Sequence, residues 1–297
     1  PAEDGLPLLL HRPQRHDALR DQRNRLQQGH PEVRREWFLK IYLLGHGISY
    51  SRSPAMQSAA FRAAGLDWTY ELLDVPPDAL THAIQKLRAP DAAGANVTIP
   101  YKLTVMEHLD RLDADALRAH AVNTISRDGE HLVGSNTDVA GIRSALEDVG
   151  LTDPRGAKVV VLGAGGSARA AGVALEGAHV TYIARHPDTA GELPGHVAAW
   201  SDHGWESNVR SADLLLNATP LGRREEMPLR PNALPKQGAV IDLVYVAGGT
   251  PLVRKARSLG LRTADGWGVL VAQGARSFEI WTGKPAPVDA MREALTP

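Results

Sequence analysis

The sequence contains no cysteine, which removes disulfides, thiolate zinc sites and cysteine nucleophiles together. A chain without cysteine works in either redox environment, so this absence leaves the compartment open. An excess of one charge is also missing: 33 Lys and Arg face 34 Asp and Glu, for a formal net charge of −1. That balance offers no broad basic surface and argues against a main role in nucleic-acid binding. No uninterrupted apolar run approaches the ~18 residues that span a bilayer. Leu8, Leu9 and Leu10 make too short a run for a signal peptide, and acidic Glu3 and Asp4 precede them where basic residues belong. The expectation is a cytoplasmic protein with no membrane partner. Fixed-period repeats and low-complexity tracts are absent as well.

What is present is an ordinary globular balance, 43% hydrophobic and 23% charged residues over 297 positions. At roughly 150 residues per domain this length suggests two domains. The first 40 residues stand apart, with 14 of them Asp, Glu, Lys or Arg. They read as an N-terminal extension carrying an exposed helix from Asp17 to Gln27. From Ile41 onward strand and helix patterns alternate. Strands are expected at Ile41–Leu44, Tyr70–Val75 and Gly94–Val97. Helices are expected at Pro54–Gly65 and Pro77–Leu87, and, after a turn at Pro100, through Leu109. Gly141–Val149 reads as a linking helix. Further strands follow at Lys158–Leu162, His179–Ile183, Leu214–Asn217 and Val240–Val244, then a C-terminal helix from Val269 to Trp281. Such alternation implies an α/β fold built on mainly parallel sheets, with a second domain beginning after Asp138.

The clearest motif is Val159-Val-Val-Leu-Gly163-Ala164-Gly165-Gly166-Ser167-Ala168. An apolar strand runs into glycines and a small-residue helix follows. Gly163 permits the tight turn, Gly165 lets a pyrophosphate approach the backbone, and Ala168 allows close helix packing. The free N–H groups of the helix start attract phosphate. Dinucleotide binding is the reading. The next strand ends in Ala184-Arg185-His186, with no carboxylate to hold a ribose 2′-OH. Arg185 can instead pair with a 2′-phosphate, which favours NADP over NAD.

Four segments are unusually polar, and several of their groups follow short strands: Ser49-Tyr-Ser51-Arg-Ser53-Pro54, Asn96-Val-Thr98-Ile-Pro100-Tyr-Lys102, Ala121-Val-Asn123-Thr124 and Asn136-Thr137-Asp138. In parallel sheets ligands lie beyond the carboxyl ends of the strands, where these groups converge. Hydroxyls and amides suit a polyol, and Lys with Asp suits proton transfer. Asp138 has a second reading as a helix N-cap.

These segments resemble the shikimate dehydrogenase family: a serine pair before Pro, N-V-T-x-P-x-K at Asn96–Lys102, A-V-N-T at Ala121–Thr124 and N-T-D-x-x-G at Asn136–Gly141. The resemblance continues with G-A-G-G-x-x-R at Gly163–Arg169, N-A-T-P at Asn217–Pro220 and D-G-x-G-x-L-x-x-Q at Asp265–Gln273. It covers about residues 41–285. The resemblance implies reversible NADP-linked reduction of 3-dehydroshikimate to shikimate in a cleft between two domains. It implies a substrate domain over 41–140, completed by a C-terminal helix within 266–297, and a Rossmann-like cofactor domain over 141–265. Lys102 and Asp138 would be the catalytic pair. Ser51, Ser53, Thr98, Asn123 and Gln273 would bind substrate, with Tyr245 near its carboxylate. Gly163, Ala164, Gly165, Gly166, Ser167, Ala168, Arg185, Asn217, Ala218, Thr219 and Gly266 would serve the cofactor. No metal is implied, and the chain would act as a monomer or homodimer.

The chain departs from the family pattern at Tyr50, where His is frequent, at His120, where a small residue precedes A-V-N-T, and at bulky Trp267. Thr189 stands where a second basic residue usually follows Arg185, which leaves NAD as a less favoured cofactor. A quinate or aminoshikimate dehydrogenase is the alternative enzyme, although Ser at position 53 favours shikimate. A non-catalytic dinucleotide sensor is the alternative of another class, and it would have no use for both Lys102 and Asp138.

Overall fold

The computed structural model describes residues 38–202 and 204–296. The N-terminal extension up to residue 37, with its expected helix, lies outside the described residues.

Strand β1 (Lys40–Gly45) is followed by helix α1 (Ser53–Ala63), β2 (Thr69–Asp74), α2 (Leu80–Lys86) and β3 (Ala92–Val97). β1 pairs in parallel with both β2 and β3, as the alternation implies. The next stretch differs from expectation. Pro100 opens a turn and a short 3-10 segment, Thr104–His108, rather than a full helix. After it come β4 (Arg111–Leu112), α3 (Ala114–Ala119) and a hairpin of β5 (Thr124–Asp128) and β6 (His131–Ser135). β5 runs antiparallel to β3, and the sheet order is β2-β1-β3-β5-β6-β4. The antiparallel pairing turns the chain back, so Asn96 and Asn123 meet at one end of neighbouring strands.

Helix α4 (Asp138–Asp148) leads to the second sheet. Its elements are β7 (Lys158–Leu162), α5 (Gly166–Ala174), β8 (His179–Ala184), β9 (His196–Ala199), α6 (Trp205–Arg210) and β10 (Leu214–Asn217). β11 (Ala239–Asp242), α7 (Pro251–Ser258) and β12 (Arg262–Ala264) complete it. All pairs are parallel, in the order β12-β11-β10-β7-β8-β9. Alternate residues sort to opposite faces. Val159, Val161, Leu214 and Leu216 pack toward α4 and α5, while Val160, Leu162 and Leu215 pack toward α6 and α7. From β7 the chain winds one way through β8 and β9, then crosses back to β10. The crevice at such a reversal point is where parallel sheets bind ligands.

Helix α8 (Gly266–Thr282) returns to the first sheet and packs along α4, with α9 (Val288–Glu293) after it. Leu270 and Phe278 join Ile41, Leu43, Met56 and Phe61 in one buried cluster. Hence the residues completing the first core come from the far end of the chain. Among the described residues, no helix is long and apolar enough to cross a membrane.

Candidate active site

Lys102 follows β3 through a turn in which the Tyr101 N–H donates to the Thr98 carbonyl at 2.9 Å. Tyr101 is buried and its hydroxyl donates to the Val75 carbonyl at 2.6 Å, anchoring the turn. The Lys102 carbonyl accepts from the Val122 N–H at 2.7 Å. With its backbone held on both sides, the side chain points into the cleft between the two sheets. Its Nζ lies 2.5 Å from Asp138 Oδ2 and 3.3 Å from Ser167 Oγ. Both charged side chains are mostly withdrawn from solvent, 16% and 13% exposed. A pair at that burial is far less screened than a surface salt bridge.

Asp138 sits in the first turn of α4, where Thr137 occupies the cap position without a side-chain capping bond. The Asp138 carboxylate therefore does not cap the helix; its other oxygen, Oδ1, accepts from Asn123 Nδ2 at 2.7 Å. Asn123 in turn accepts from the Thr137 N–H at 2.7 Å. One amide thus orients the carboxylate and ties it to the strand below.

Beneath this pair lies a buried polar cluster. Tyr70 donates to Asn96 Oδ1 at 2.8 Å, and Asn96 Nδ2 donates to the Asn123 carbonyl and to Ser277 Oγ at 3.1 and 3.0 Å. The hydroxyls of Thr124, Thr137 and Ser277 lie 2.9–3.1 Å from one another. Burial pushes the Tyr70 phenol well above its ordinary range, so it stays a neutral donor. Tyr70 and Ser277 are absent from the sequence-based site. Ser277 was findable: it lies four residues after Gln273, on the same helical face.

On the other wall, burial also raises the Tyr245 phenol, partly opposed by the Arg52 N–H and the Ser51 hydroxyl. Its ring lies 4.9 Å from that of Trp267, whose indole N–H donates to the Val246 carbonyl at 3.2 Å. The bulky Trp267 therefore seats Tyr245. Ser53 is buried, and its N–H donates to Ser51 Oγ at 3.2 Å. Tyr50 stands half-exposed under Arg223, whose Cζ is 3.8 Å from the ring centre. His120 is an exposed residue ending α3 in the left-handed conformation, φ 45°. It does not line the cleft.

The glycine loop occupies the crevice between the ends of β7 and β10. Gly163 has φ +110°, and a Cβ there would lie 3.2 Å from the Ala218 carbonyl oxygen. Gly165 caps α5 with extended backbone, and a Cβ there would meet nothing within 4 Å. The loop thus faces open space with the first-turn N–H groups of α5 behind it, which fits a pyrophosphate. Arg185 lines the far end of the cleft and, among the described residues, has no hydrogen-bond or ion-pair partner. A guanidinium left free there fits a 2′-phosphate. The donor set therefore suits a phosphorylated dinucleotide.

Several supports lie underneath. Arg169 is buried without a carboxylate; its guanidinium donates to the carbonyls of Ala190 and Glu192, bracing the segment after Arg185. Asn217 Oδ1 accepts from the Thr219 N–H and hydroxyl, at 3.1 and 2.6 Å, and shapes the loop after β10. Its amide donates to Asp242, which is fully buried and also accepts from the Thr250 hydroxyl at 2.6 Å. Burial raises the Asp242 carboxyl to about 6, more than its hydrogen-bond donors lower it.

One cleft of about 780 Å³ is lined by Ser51, Ser53, Thr98, Lys102, Asn123, Asp138, Tyr245 and Gln273. Gly163 to Ser167, Arg185, Ala218, Thr219 and Gly266 line it as well. Ala168 and Asn217 are completely buried beneath the cleft and do not line it. Among the described residues, no group of three His, Asp or Glu side chains could hold a metal ion.

Fold and cleft define a two-domain α/β protein of the dinucleotide-dependent dehydrogenase class. The chain is 41% identical to the shikimate dehydrogenase (NADP(+)) of Moorella thermoacetica over 271 residues, covering 86% of this chain and 92% of that relative. It belongs to the shikimate dehydrogenase family. The corresponding enzyme of Methanopyrus kandleri is 42% identical, with 86% and 94% covered. Residues 43–125 match the family model for the shikimate dehydrogenase substrate binding domain, and 266–296 that for the shikimate 5′-dehydrogenase C-terminal domain. The crystal structure of shikimate 5-dehydrogenase from Thermus thermophilus, in complex with NADP(H) and shikimate, superposes with a TM-score of 0.77. It is 35% identical, with 86% of this chain and 98% of that chain covered.

Proposed function

We propose that this protein catalyses the reversible, NADP-linked reduction of 3-dehydroshikimate to shikimate. The observation that carries the reading is the Lys102–Asp138 pair, oriented by Asn123 and facing the glycine loop inside one cleft. Family membership supports the same substrate and cofactor. When bound, NADPH supplies a hydride to the ketone carbon. Lys102 Nζ holds the proton that the carbonyl oxygen needs as negative charge develops there, and takes it back in the reverse direction. Asp138 keeps Nζ in place through Oδ2 while Asn123 holds Oδ1. Ser51, Ser53 and Tyr245 bind the carboxylate end of the substrate; Thr98, Asn123 and Gln273 bind its hydroxyls. Gly163, Ala164, Gly165, Gly166 and Ser167 hold the pyrophosphate. Arg185 takes the 2′-phosphate, Ala218, Thr219 and Gly266 bound the cofactor's path, and Ala168 and Asn217 act from below.

The substrate domain in this reading comprises residues 41–140 with 266–297, and the cofactor domain 141–265. All the named groups come from one chain, so a monomer would suffice for activity, and a homodimer is the other proposed state. The cytoplasm is the proposed compartment. Steady-state rates for shikimate, quinate and an aminoshikimate, each with NADP and NAD, test the reading. Shikimate with NADP should give the highest kcat/KM; quinate or aminoshikimate ahead of shikimate would move the protein to that branch.

A further inference from the structure

At the substrate end of the cleft stands a cation that, among the described residues, has no counter-ion. Arg223 is exposed, lines the cleft with Tyr50, Ser51 and Tyr245, and holds its Cζ over the Tyr50 ring, 3.8 Å from the centre. The acids nearest in sequence are engaged elsewhere. Glu226 Oε2 accepts from the N–H groups of Gly222 and Arg224, at 3.1 and 2.8 Å, pinning the backbone on both sides of Arg223. Glu225 pairs with Arg254. Among the described residues, Arg223 has no carboxylate partner. Its charge is felt at the Tyr245 phenol, which also borders Ser51 and Tyr50.

The two serines and Tyr245 offer hydroxyls alone, and a desolvated carboxylate met only by hydroxyls retains an uncompensated charge. A guanidinium presents a planar fork that matches a carboxylate and also stacks on an aromatic face. We propose that Arg223, carried by the cofactor-side loop and seated on Tyr50, is the counter-ion of the substrate carboxylate and selects for acid substrates. This rests on the shikimate reading above. Arg223 and Ser51 belong to opposite walls, so the carboxylate would bridge them and bind fully only when the cleft is closed over it.

The test is steady-state oxidation of shikimate and of shikimate methyl ester with NADP, by wild type, Arg223→Ala, Arg223→Lys, Tyr50→Leu and Arg224→Ala. A lost charge-assisted pair should raise the shikimate KM of Arg223→Ala about 10- to 100-fold. Its kcat and its KM for NADP should change far less, and its KM for the ester should match that of wild type. Arg223→Lys should recover part of the loss, Tyr50→Leu should raise KM in the same direction by less, and Arg224→Ala should match wild type. An unchanged shikimate KM in Arg223→Ala, an equal rise for acid and ester, or a rise confined to NADP would overturn the proposal while leaving the shikimate activity standing. A wild-type enzyme inactive on shikimate would overturn both.

Discussion

Lys102 is placed by its neighbours before it does any chemistry. The Tyr101 anchor and the Val122 N–H hold its backbone, and Asp138 and Ser167 hold its Nζ. Removing the amine in Lys102→Ala should lower kcat about 10²- to 10⁴-fold with a much smaller change in shikimate KM, since proton transfer belongs to the transition state. Near-wild-type kcat in that variant would end the proposed mechanism. Arg185 should set cofactor choice. One charge-assisted pair gives a preference for NADP of about one to two decades, nearer one for a single clamp. Arg185→Ala should erase it through KM for NADP, and wild type preferring NAD would show that Arg185 does not meet the ribose. Asp242 carries a pH signature. Its folded carboxyl, at about 6, lies above the ordinary 3.8, so the folded chain holds that proton more tightly than the unfolded one. The stability this contributes is full below about pH 3.8 and is lost as pH rises through about 6. Asp242→Asn cannot titrate, so wild-type stability should fall relative to the variant between about pH 4 and 7, by on the order of 2–3 kcal/mol. Parallel pH dependences in denaturant melts of the two proteins would show that Asp242 does not titrate as described.

At the scale of elements, the junction between the glycine loop and α5 is also a wall for Lys102. A Cβ on Gly166 would lie 2.8 Å from Lys102 Cβ and 2.9 Å from its Cδ. Lys102 Cβ cannot rotate away, and the Lys102 backbone is held by Val122 and the Tyr101 turn, so Gly166→Ala must push the glycine loop and the Lys102 turn apart. The lysine would have to shift, pulling Nζ from Asp138. The expected result is a melting temperature below wild type, despite alanine's better helix propensity, with kcat reduced at least about tenfold, the cost of roughly 1.4 kcal/mol in the barrier. Melting curves and initial rates together check both effects; unchanged kcat would show that Lys102 has room. The same scale shows where the sequence was legible. β1, β7, β8 and β10 announce themselves as apolar runs because both faces of a parallel strand are covered. The hairpin of β5 and β6 is hidden in the sequence, although Asp128-Gly129 is a hairpin signal, because its five-residue strands TISRD and HLVGS carry few apolar residues and no clean alternation. The helix expected after Pro100 shrinks to a short turn because the Lys102 carbonyl is taken by Val122 and the Tyr101 hydroxyl by Val75, contacts formed only after folding.

At the scale of the whole molecule, the cleft is built from residues between Leu43 and Gln273, and bound ligands should therefore brace both sheets at once. A ligand that binds only the folded chain stabilises it by about 2.7 kcal/mol at 100 times Kd, which for a protein of this size raises Tm by roughly 5–10 °C. NADP at that level should produce such a rise by calorimetry, and shikimate added with it a further one; no shift with NADP would remove the cofactor site. By itself the sequence determined the α/β class, the dinucleotide loop, the catalytic candidates and the family. Those features depend on local periodicity, on glycines demanded by backbone geometry, and on motifs whose residues lie close together in the chain. Only the tertiary structure decided that Asp138 orients Lys102 rather than capping α4, that Ser277 completes the buried hydroxyl cluster, and that Trp267 seats Tyr245. It also decided that Ala168 and Asn217 lie beneath the cleft and that Arg223 reaches Tyr50. Each of these is a contact or a depth set by how helices and sheets pack, and no periodicity along the chain encodes it.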